Sequence, residues 1–417
     1  MEKKIDVNSI LRKAILAEDI EKVDEIVSQY GLSYHDEWDD GYELVRISLL
    51  KHKFQVASFL IRAGAKIFNS EKVYPHETPF RLAVGTPGTV DIIKMMLERD
   101  RNILKPGSVY EMNANIESII DTDDPDVVKL AVDHGFEVNP SRVIKNVPLM
   151  RSIEKKKLKA MKVLLDSGAD INYTRERDGL QPIHMAVDTE KEIIAELLKY
   201  GADINAKIKN GCTPLLLSIF HIKSPEIIEF LLENNADVNI AADGDYTPLG
   251  TAFLQSKKQI SETVKVLIKH IIKIKSQNLY VSDANFSLLK NNDMKNYAKK
   301  CEDEIEQLKI QKIINTNIPF YDILAGDAKV LIRYARNKNL CQAVESDELK
   351  RFPIYGSIMD RRFQKALTSN LLLEKSVNLF QKYSVTGVLS KLPINIIYDI
   401  FEYLNDHDLE NFIKIVE

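Results

Sequence analysis

Few residues of this 417-residue chain have the types and spacing that chemistry requires. The three cysteines, Cys212, Cys301 and Cys341, lie far apart without a C-x-x-C pair, so neither a disulfide framework nor a zinc site is indicated. The histidines lack H-E-x-x-H spacing, and no P-loop, dinucleotide fingerprint or G-x-S-x-G elbow is present. We therefore expect no catalytic residue, no metal and no cofactor, and predict that the chain is not an enzyme.

Two charged clusters also have plain structural interpretations. The aspartates at 121, 123, 124 and 126 could suggest calcium, but the glycine and glutamate that an EF-hand loop needs at its sixth and twelfth positions are missing. A turn followed by a helix cap is the better interpretation. The lysines at 155, 156, 157 and 159 form the densest basic run, for which a solvated helix face is favoured over nuclear import or anion binding.

Composition and charge limit the compartment and the partners. With 57 basic and 61 acidic residues the net charge is −4, so the chain has no overall positive field and nucleic acid is not an expected partner. The N-terminus lacks the apolar region of a secretory signal, and the most apolar stretch, Val264 to Ile274, is too short and too rich in lysine to span a bilayer. We expect a cytoplasmic or nuclear monomer with no signal peptide, no transmembrane segment and no membrane partner.

An internal repeat organises the middle of the chain. One phrase occurs as S-G-A-D-I-N at 167–172, Y-G-A-D-I-N at 200–205 and N-N-A-D-V-N at 234–239, at spacings of 33 and 34 residues. A second phrase keeps step with it and contains Thr213-Pro214 and Thr247-Pro248. Because a threonine can cap a helix whose first residue is proline, each Thr-Pro predicts a helix start.

A second helix per repeat carries a doubled apolar stripe. Ile193, Ile194, Leu197 and Leu198 occupy positions i, i+1, i+4 and i+5, which share one helix face. Glycine at 168 and 201 and asparagine at 235 then suit the left-handed conformation that ends a helix. One helix pair cannot bury its own stripe, so the sequence predicts a stack of pairs.

These residues resemble ankyrin repeats, whose consensus runs from a T-P-L-H helix to a G-A-D-V-N loop. Degenerate copies extend the pattern towards the N-terminus, giving about eight helix pairs between Leu11 and Ile272 and a predicted array at 1–275. The resemblance implies that His184, at the histidine position of T-P-L-H, bonds neighbouring backbone, and that the loops choose a protein partner. The charged or aromatic residues near the loop tips are our candidates for binding this unidentified target: Tyr173, Arg175, Arg177, Lys207, Lys209, Asp243 and Asp245.

The repeat period is lost after about Ser276. We predict a helical spacer at 276–345 and a small helical domain at 346–417. The latter contains F-P-I-Y-G at 352–356 and L-P-I-N-I-I-Y-D-I-F-E-Y-L at 392–404. In the second segment Ile396, Ile400 and Leu404 form one line along a helix, with Ile397 and Phe401 beside it, so the helix is strongly amphipathic.

This C-terminal pattern looks like the beginning of an F-box, and after an ankyrin array it resembles the PRANC domain of poxviruses, parasitoid wasps and some intracellular bacteria. The resemblance covers nearly the whole chain and implies a role between host and pathogen. It predicts a substrate-receptor subunit of an SCF-type cullin-RING ubiquitin ligase, in which the repeats bind the target and the tail binds the Skp linker subunit, which is joined to the cullin. The residues implied for linker binding are Leu392, Pro393, Ile396, Ile397, Ile400, Phe401, Leu404, Asp408, Leu409 and Phe412.

One departure keeps other functions open: fewer residues follow Lys391 than a full F-box requires, and its third helix is missing. The alternative is a non-catalytic ankyrin scaffold or sequestering inhibitor whose tail is a purely structural cap. An effector enzyme with an ankyrin targeting arm is a third, remote hypothesis. Full burial of the apolar stripe at 393–404 would favour the cap. In every case we expect an all-α chain, with an ankyrin-repeat solenoid, a helical spacer and an F-box-like C-terminal domain.

Overall fold

The computed structural model describes residues 7–30, 39–67, 78–104, 109–140, 147–257, 259–345, 348–383 and 394–416. Within these ranges every regular element is a helix, and the chain is 67% helical. The predicted all-α fold class is confirmed. The chain divides into two compact units, residues 1–173 and 174–417, which we describe separately.

The first unit is a two-layer stack of helix pairs. Each odd-numbered helix packs against the next even-numbered one, and each helix also packs against its counterpart in the following pair. The helices are α1 (Val7–Ala17), α2 (Ile20–Gln29), α3 (Asp39–Leu50), α4 (Phe54–Arg62), α5 (Pro79–Val84), α6 (Val90–Arg99), α7 (Val109–Asp121), α8 (Pro125–Asp133), α9 (Pro148–Glu154) and α10 (Leu158–Asp166).

The second unit begins with four further helix pairs and ends with a cluster of six helices. The paired helices are α11 (Pro182–Ala186), α12 (Lys191–Lys199), α13 (Pro214–Phe220), α14 (Pro225–Glu233), α15 (Pro248–Gln255), α16 (Glu262–Ser276), α17 (Asp283–Leu289) and α18 (Asn292–Ile310). The C-terminal helices are α19 (Phe320–Ala325), α20 (Ala328–Ala335), α21 (Lys338–Glu345), α22 (Gly356–Tyr383), α23 (Ile394–Phe401) and α24 (Asp406–Val416).

Helix starts and ends follow the local sequence signals. The Thr213 hydroxyl accepts a hydrogen bond from the Leu216 N–H at 3.3 Å, and Thr247 caps α15 in the same way. Gly201 and Asn235 end their helices at φ 88° and φ 70°, in the left-handed region. The predicted caps and helix ends are confirmed.

The tight turns inside the helix pairs also use left-handed residues, although few are glycine. His52, Lys156 and Ile222 have φ near 55°. For a β-branched residue such as Ile222 this conformation is an outlier, because its Cβ crowds the following carbonyl group. Ile222 is also 82% exposed, so no burial of its side chain offsets that strain.

Stacking buries most of the predicted apolar stripes, although Leu198 and Ile227 are only half-buried. Ile193, Ile194 and Leu197 of α12 are at most 2% exposed, and Ile228 and Leu231 of α14 are equally buried. Each such side chain contributes about 1.5–3 kcal/mol relative to an exposed one. One helix pair cannot bury these residues alone, so the hydrophobic core of each pair is completed by the pairs next to it.

Asparagines that end a loop after the second helix of a pair, Asn139 and Asn205, join one pair to the next. In the first unit the Asn139 amide accepts from the Asp170 N–H and donates to the Gly168 carbonyl, both at 2.8 Å. In the second unit Asn205 makes the corresponding contacts with Asp237 and Asn235. The asparagine side chain thus supplies hydrogen bonds to a backbone N–H and a backbone carbonyl of the next loop, which would otherwise lack a protein partner.

The same contact continues beyond the predicted array. The Asn239 amide accepts from the Ser282 N–H at 2.8 Å and donates to the Tyr280 carbonyl at 3.1 Å. Helices α17 and α18 then pack on α15 and α16 as another pair. The segment predicted to be a spacer therefore begins as a continuation of the stack, although its sequence has lost the repeat period.

The F-P-I-Y-G segment attaches the C-terminal helices to this last pair. The buried Glu304 carboxylate of α18 accepts hydrogen bonds from the N–H groups of Ile354 and Tyr355, at 3.0 and 2.8 Å. The Tyr355 ring is fully buried, and its hydroxyl donates to the Lys269 carbonyl at 3.0 Å. A Cβ at Gly356 would overlap the Leu349 carbonyl oxygen, so only glycine fits where α22 begins.

Replacing Glu304 with glutamine should weaken this attachment. The amide keeps one oxygen for the two backbone donors but puts an N–H group where the second carboxylate oxygen lies 3.2 Å from the Ile354 nitrogen, so we expect a local loss of about 1–3 kcal/mol. Amide hydrogen exchange at Ile354 and Tyr355 should become about tenfold faster or more. The control is Glu306→Gln, on the same helix, where the carboxylate is exposed and pairs with Lys309. Equal exchange rates in the two variants would contradict this role.

Candidate protein-interaction site

Helix α23 has two apolar faces with different surroundings. Ile397 and Phe401 point inwards and pack against Leu373 and Val377 of α22, and the predicted linker contact Leu409 lies in the same cluster. The Phe401 ring lies 5.6 Å from that of Phe380 and 5.1 Å from that of Phe412, both edge to face. These predicted linker contacts form the core that holds α23, with Phe412 half-buried at its edge.

The other face is open. Ile396 and Ile400 lie on this face of α23 and are 39% and 50% exposed. Leu404, the third member of the predicted line, is 38% exposed but lies in the turn after the helix, which ends at Phe401. Ile394 and Tyr403, which the sequence analysis did not single out, are exposed beside them. We call these five residues the α23 face. The predicted contacts Leu392 and Pro393 lie outside the described residues.

Asp408, another predicted linker contact, has a structural role. Its carboxylate accepts from the Asn405 N–H at 3.2 Å, while the Asn405 side chain accepts from the Asp408 N–H at 2.9 Å. This reciprocal pair is a capping box, which satisfies donors at the start of α24. It fixes the turn between α23 and α24.

Contacts with α20 set the orientation of the α23 face. The Glu402 carboxylate pairs with Arg333 at 3.0 Å and with Arg336 at 3.5 Å. The Lys329 ammonium lies 4.4 Å from the centre of the Tyr403 ring. The Glu402 side chain is only 8% exposed although Arg333 is largely in solvent, and several such contacts together restrict the rotation of a short helix.

The last helix also touches the ankyrin-like part of the same unit. The His407 ring of α24 lies 4.5 Å from the Tyr200 ring, and Glu410 pairs with Lys199 at 3.5 Å. Both partners lie at the end of α12. The α23 face is therefore held on one body with the repeats of the second unit.

The candidate target-binding loops are partly structural. Arg175 donates two hydrogen bonds to Asp178, at 2.9 and 2.7 Å, and these hold the pKa of that carboxyl well below its usual range. Arg177 contacts the same carboxylate at 3.3 Å but is 79% exposed. Arg175 thus shapes its loop, and Arg177 remains available to a partner. Tyr173 is half-exposed and belongs to the first unit.

The next two loops present opposite charges. Lys207 and Lys209 are exposed in one, and Asp243 and Asp245 in the other. Backbone hydrogen bonds join the loops: the Lys209 N–H donates to the Asp178 carbonyl, and the Asp243 N–H donates to the Asn210 carbonyl, each at 3.1 Å. The tips form a continuous ridge that changes from basic to acidic along the chain.

His184 lies under this ridge and is structural, as predicted. Its Nε2 lies 3.0 Å from the Ala206 carbonyl oxygen, and its Nδ1 accepts from the Gln181 N–H at 3.3 Å. These two contacts require the neutral ring with its proton on Nε2, and burial lowers the pKa of His184 in agreement. The histidine binds two repeats together rather than performing chemistry.

Comparison with known families agrees with both parts of the architecture. A model of ankyrin repeats, three copies long, matches residues 149–242 and 185–278, and a model of the PRANC domain matches residues 315–414. The chain carries ankyrin repeats and a PRANC domain. The PRANC match begins at 315, inside the segment predicted as a spacer, so it includes α19 to α21 as well as α22 to α24.

The chain is also similar to ankyrin repeat proteins of poxviruses. An ankyrin repeat protein of fowlpox virus is 27% identical over 303 residues, which cover 68% of this chain and 87% of that protein. Another fowlpox ankyrin repeat protein is 25% identical, covering 74% and 70% of the two chains. An ankyrin repeat domain-containing protein of monkeypox virus is 23% identical over 73% of this chain and 74% of its own length.

Both families are interaction domains rather than catalytic ones. In the part of the chain that the structure describes, no group of three or more His, Cys, Asp or Glu side chains is placed to hold a metal ion. None of the described helices is long and apolar enough to cross a membrane. The ankyrin repeats and the PRANC domain therefore indicate protein partners.

The close approach of the loops can be tested with two glycines of the same backbone conformation. A Cβ at Gly179 would lie 2.9 Å from the backbone nitrogen of Lys209, whereas a Cβ at Gly201 would have no other atom within 4 Å. Both glycines have positive φ. In both alanine variants the left-handed conformation should lower the free energy of unfolding by about 1 kcal/mol. Gly179→Ala should lower it by about 1–3 kcal/mol more, because the added Cβ pushes apart the loops that contain Gly179 and Lys209. Equal unfolding midpoints in urea would contradict the loop contact.

Proposed function

We propose that this protein is a substrate-receptor subunit of an SCF-type ubiquitin ligase. The α23 face binds the Skp linker subunit, through which the chain joins the cullin, and the ankyrin ridge binds a target protein. The proposal is carried by one observation: a short helix is anchored by one apolar face and leaves a second apolar face exposed. The chain itself performs no catalysis, and ubiquitin transfer belongs to the partner complex.

Physical chemistry supports a helix-in-groove contact at this face. Apolar side chains one turn apart on one helix face, as Ile396 and Ile400 are, form the pattern that such a groove accepts. Exposed apolar groups in a cluster mark interaction sites, because covering them releases water and lowers the free energy. The pairing of Glu402 with Arg333 and Arg336 presents the line in a fixed orientation, which lowers the entropy cost of binding.

The compartment follows from the cysteines. Cys212 and Cys301 are buried free thiols, and burial raises the pKa of Cys301 to about 12. Free thiols suit the reducing cytoplasm or nucleus. We therefore place the protein in one of these compartments.

Linker binding can be tested with one substitution and a matched control. Ile400→Asp puts a charge in the middle of the α23 face, where its burial against a partner would be strongly unfavourable. The control is Ile415→Asp, on α24, where the side chain is 84% exposed. We expect the purified full chain and the control to bind a purified Skp–cullin complex with equal affinity, and Ile400→Asp to bind at least about tenfold more weakly.

Two results would contradict this assignment: equal binding by Ile400→Asp and wild type, or no binding by the wild type. A chain ending at Ser390 gives a second readout in animal-cell lysate, where the full chain but not the short one should co-purify with linker and cullin. Failure of linker binding with normal target binding would favour the alternative, a scaffold or sequestering inhibitor. The burial of Ile397, Phe401 and Leu409 is the observation consistent with such a structural cap.

The target-binding ridge has its own test. Reversing the charge of Lys207 and Lys209 to glutamate, or of Asp243 and Asp245 to lysine, should weaken target capture because both pairs are exposed. Linker binding should stay unchanged in both variants. Arg175 is left intact, since its loss would deform the loop rather than report on binding. If all variants capture the same target in affinity purification with mass spectrometry, the ridge is not the target-binding surface.

A further inference from the structure

A cleft of about 720 Å³ lies inside the second unit, away from the α23 face and the ankyrin ridge. One wall comes from the ends of α14 and α16, and the other from α20 and α22. Ankyrin and PRANC helices thus contribute to the same cavity. A volume of this size suits a small molecule rather than a protein segment.

Four cationic side chains line the cleft, and they differ in how they are compensated. Arg361 is neutralised, because it pairs with Glu229 and Glu233, each at 2.8 Å. Within the described part of the chain, Arg362 donates only to the uncharged carbonyl groups of Ile323 and Gly326. Lys273 lies beside Arg362, and among the described residues its ammonium group has neither a hydrogen bond nor an ion pair. The fourth, Lys365, lies at the exposed rim.

The acidic side chains of the lining keep their negative charge but make their closest contacts elsewhere. Glu233 pairs with Arg361 and attracts Lys273 and Arg362 from beyond ion-pair distance. Asp327 caps α20 through the Val330 N–H at 2.8 Å, and Asp237 accepts from the Asn239 N–H at the same distance. Among the described residues, Lys273 and Arg362 therefore share the interior of the cleft without an ion pair of their own, although Glu233 offsets part of their charge.

The pKa values of the basic groups in the cleft reflect the crowding of positive charge there. Burial and the neighbouring Arg362 lower the pKa of Lys273 to about 8. Burial and Lys273 lower the pKa of His270, deeper in the same cleft, to about 3. A folded protein rarely keeps like charges together unless a counter-charge completes the site.

We infer that this cleft binds a small phosphate-bearing anion through Lys273 and Arg362. A phosphate group carries between one and two negative charges near neutral pH, about −1.5 to −2, and so balances both cations, whereas a carboxylate would balance one. Its several oxygens can accept from an ammonium and a guanidinium at once. Because ankyrin and PRANC helices both line the cleft, the bound anion ties the two domains together.

The test uses the full chain at pH 7 with inorganic phosphate, with glycerol 3-phosphate as a phosphomonoester, and with chloride at equal ionic strength. The thermal midpoint should rise with either phosphate compound relative to chloride, because a ligand that binds the folded state stabilises it. In calorimetric titration with inorganic phosphate, Lys273→Met should weaken binding at least about tenfold, the loss of one charge-assisted hydrogen bond. In chloride alone the same variant should be as stable as wild type or more so, since it removes a cation whose charge is only partly offset.

The matched control is Lys275→Met, on the same helix, whose ammonium pairs with Glu302 outside the cleft. It changes the net charge equally and should retain wild-type phosphate binding. The inference is overturned if phosphate stabilises the wild type no more than chloride does. It is also overturned if the two methionine variants bind phosphate alike, since the effect would then come from general surface charge. Neither result depends on linker or target binding.

Discussion

The buried carboxylate of Glu304 holds the start of the C-terminal domain on the last helix pair of the stack. It lies where α18 faces the F-P-I-Y-G segment, and its two backbone donors belong to consecutive residues, Ile354 and Tyr355. This fixes the origin and direction of α22, the long helix on which α19, α20, α23 and α24 pack. Arg361, in the second turn of α22, can then reach Glu233 of α14. Moving the carboxylate would shift the start of α22 and with it the helices that pack on α22.

Much of the array could be predicted from sequence because the deciding energies are local. Thr213-Pro214 starts a helix through contacts that span three residues, and Gly201 ends one through its own φ angle. The stacking of pairs followed from Ile193, Ile194 and Leu197, since a stripe of that width must be covered by something. The repeat period and the need to bury apolar residues were therefore enough to predict the helices and their stacking, without knowledge of contacts between distant residues.

The C-terminal site was harder for the opposite reason. Helix α23 is apolar on two sides, so periodicity could name Ile396 and Ile397 but not which of them α22 would cover. The role of Asp408 as a cap could have been found from N-D-H-D at 405–408, because Asn405 and Asp408 have capping-box spacing. The pairing of Arg361 with Glu229 and Glu233, and with it one wall of the phosphate cleft, joins residues more than a hundred positions apart, which no local pattern reveals.

The turn at Ile222 has a consequence for how the second unit opens. In a stack each helix pair contacts only its neighbours. A conformational strain of about 1–2 kcal/mol in one turn therefore lowers the stability of that pair rather than of the whole unit. The α13–α14 turn carries that penalty in full because Ile222 is β-branched, whereas the corresponding turn of the next pair has the unbranched Lys257 at φ 55°. Thermal fluctuations should therefore separate α13 from α14 more readily than α15 from α16. One exposed isoleucine thus places a weak point in the middle of the repeats rather than at an end.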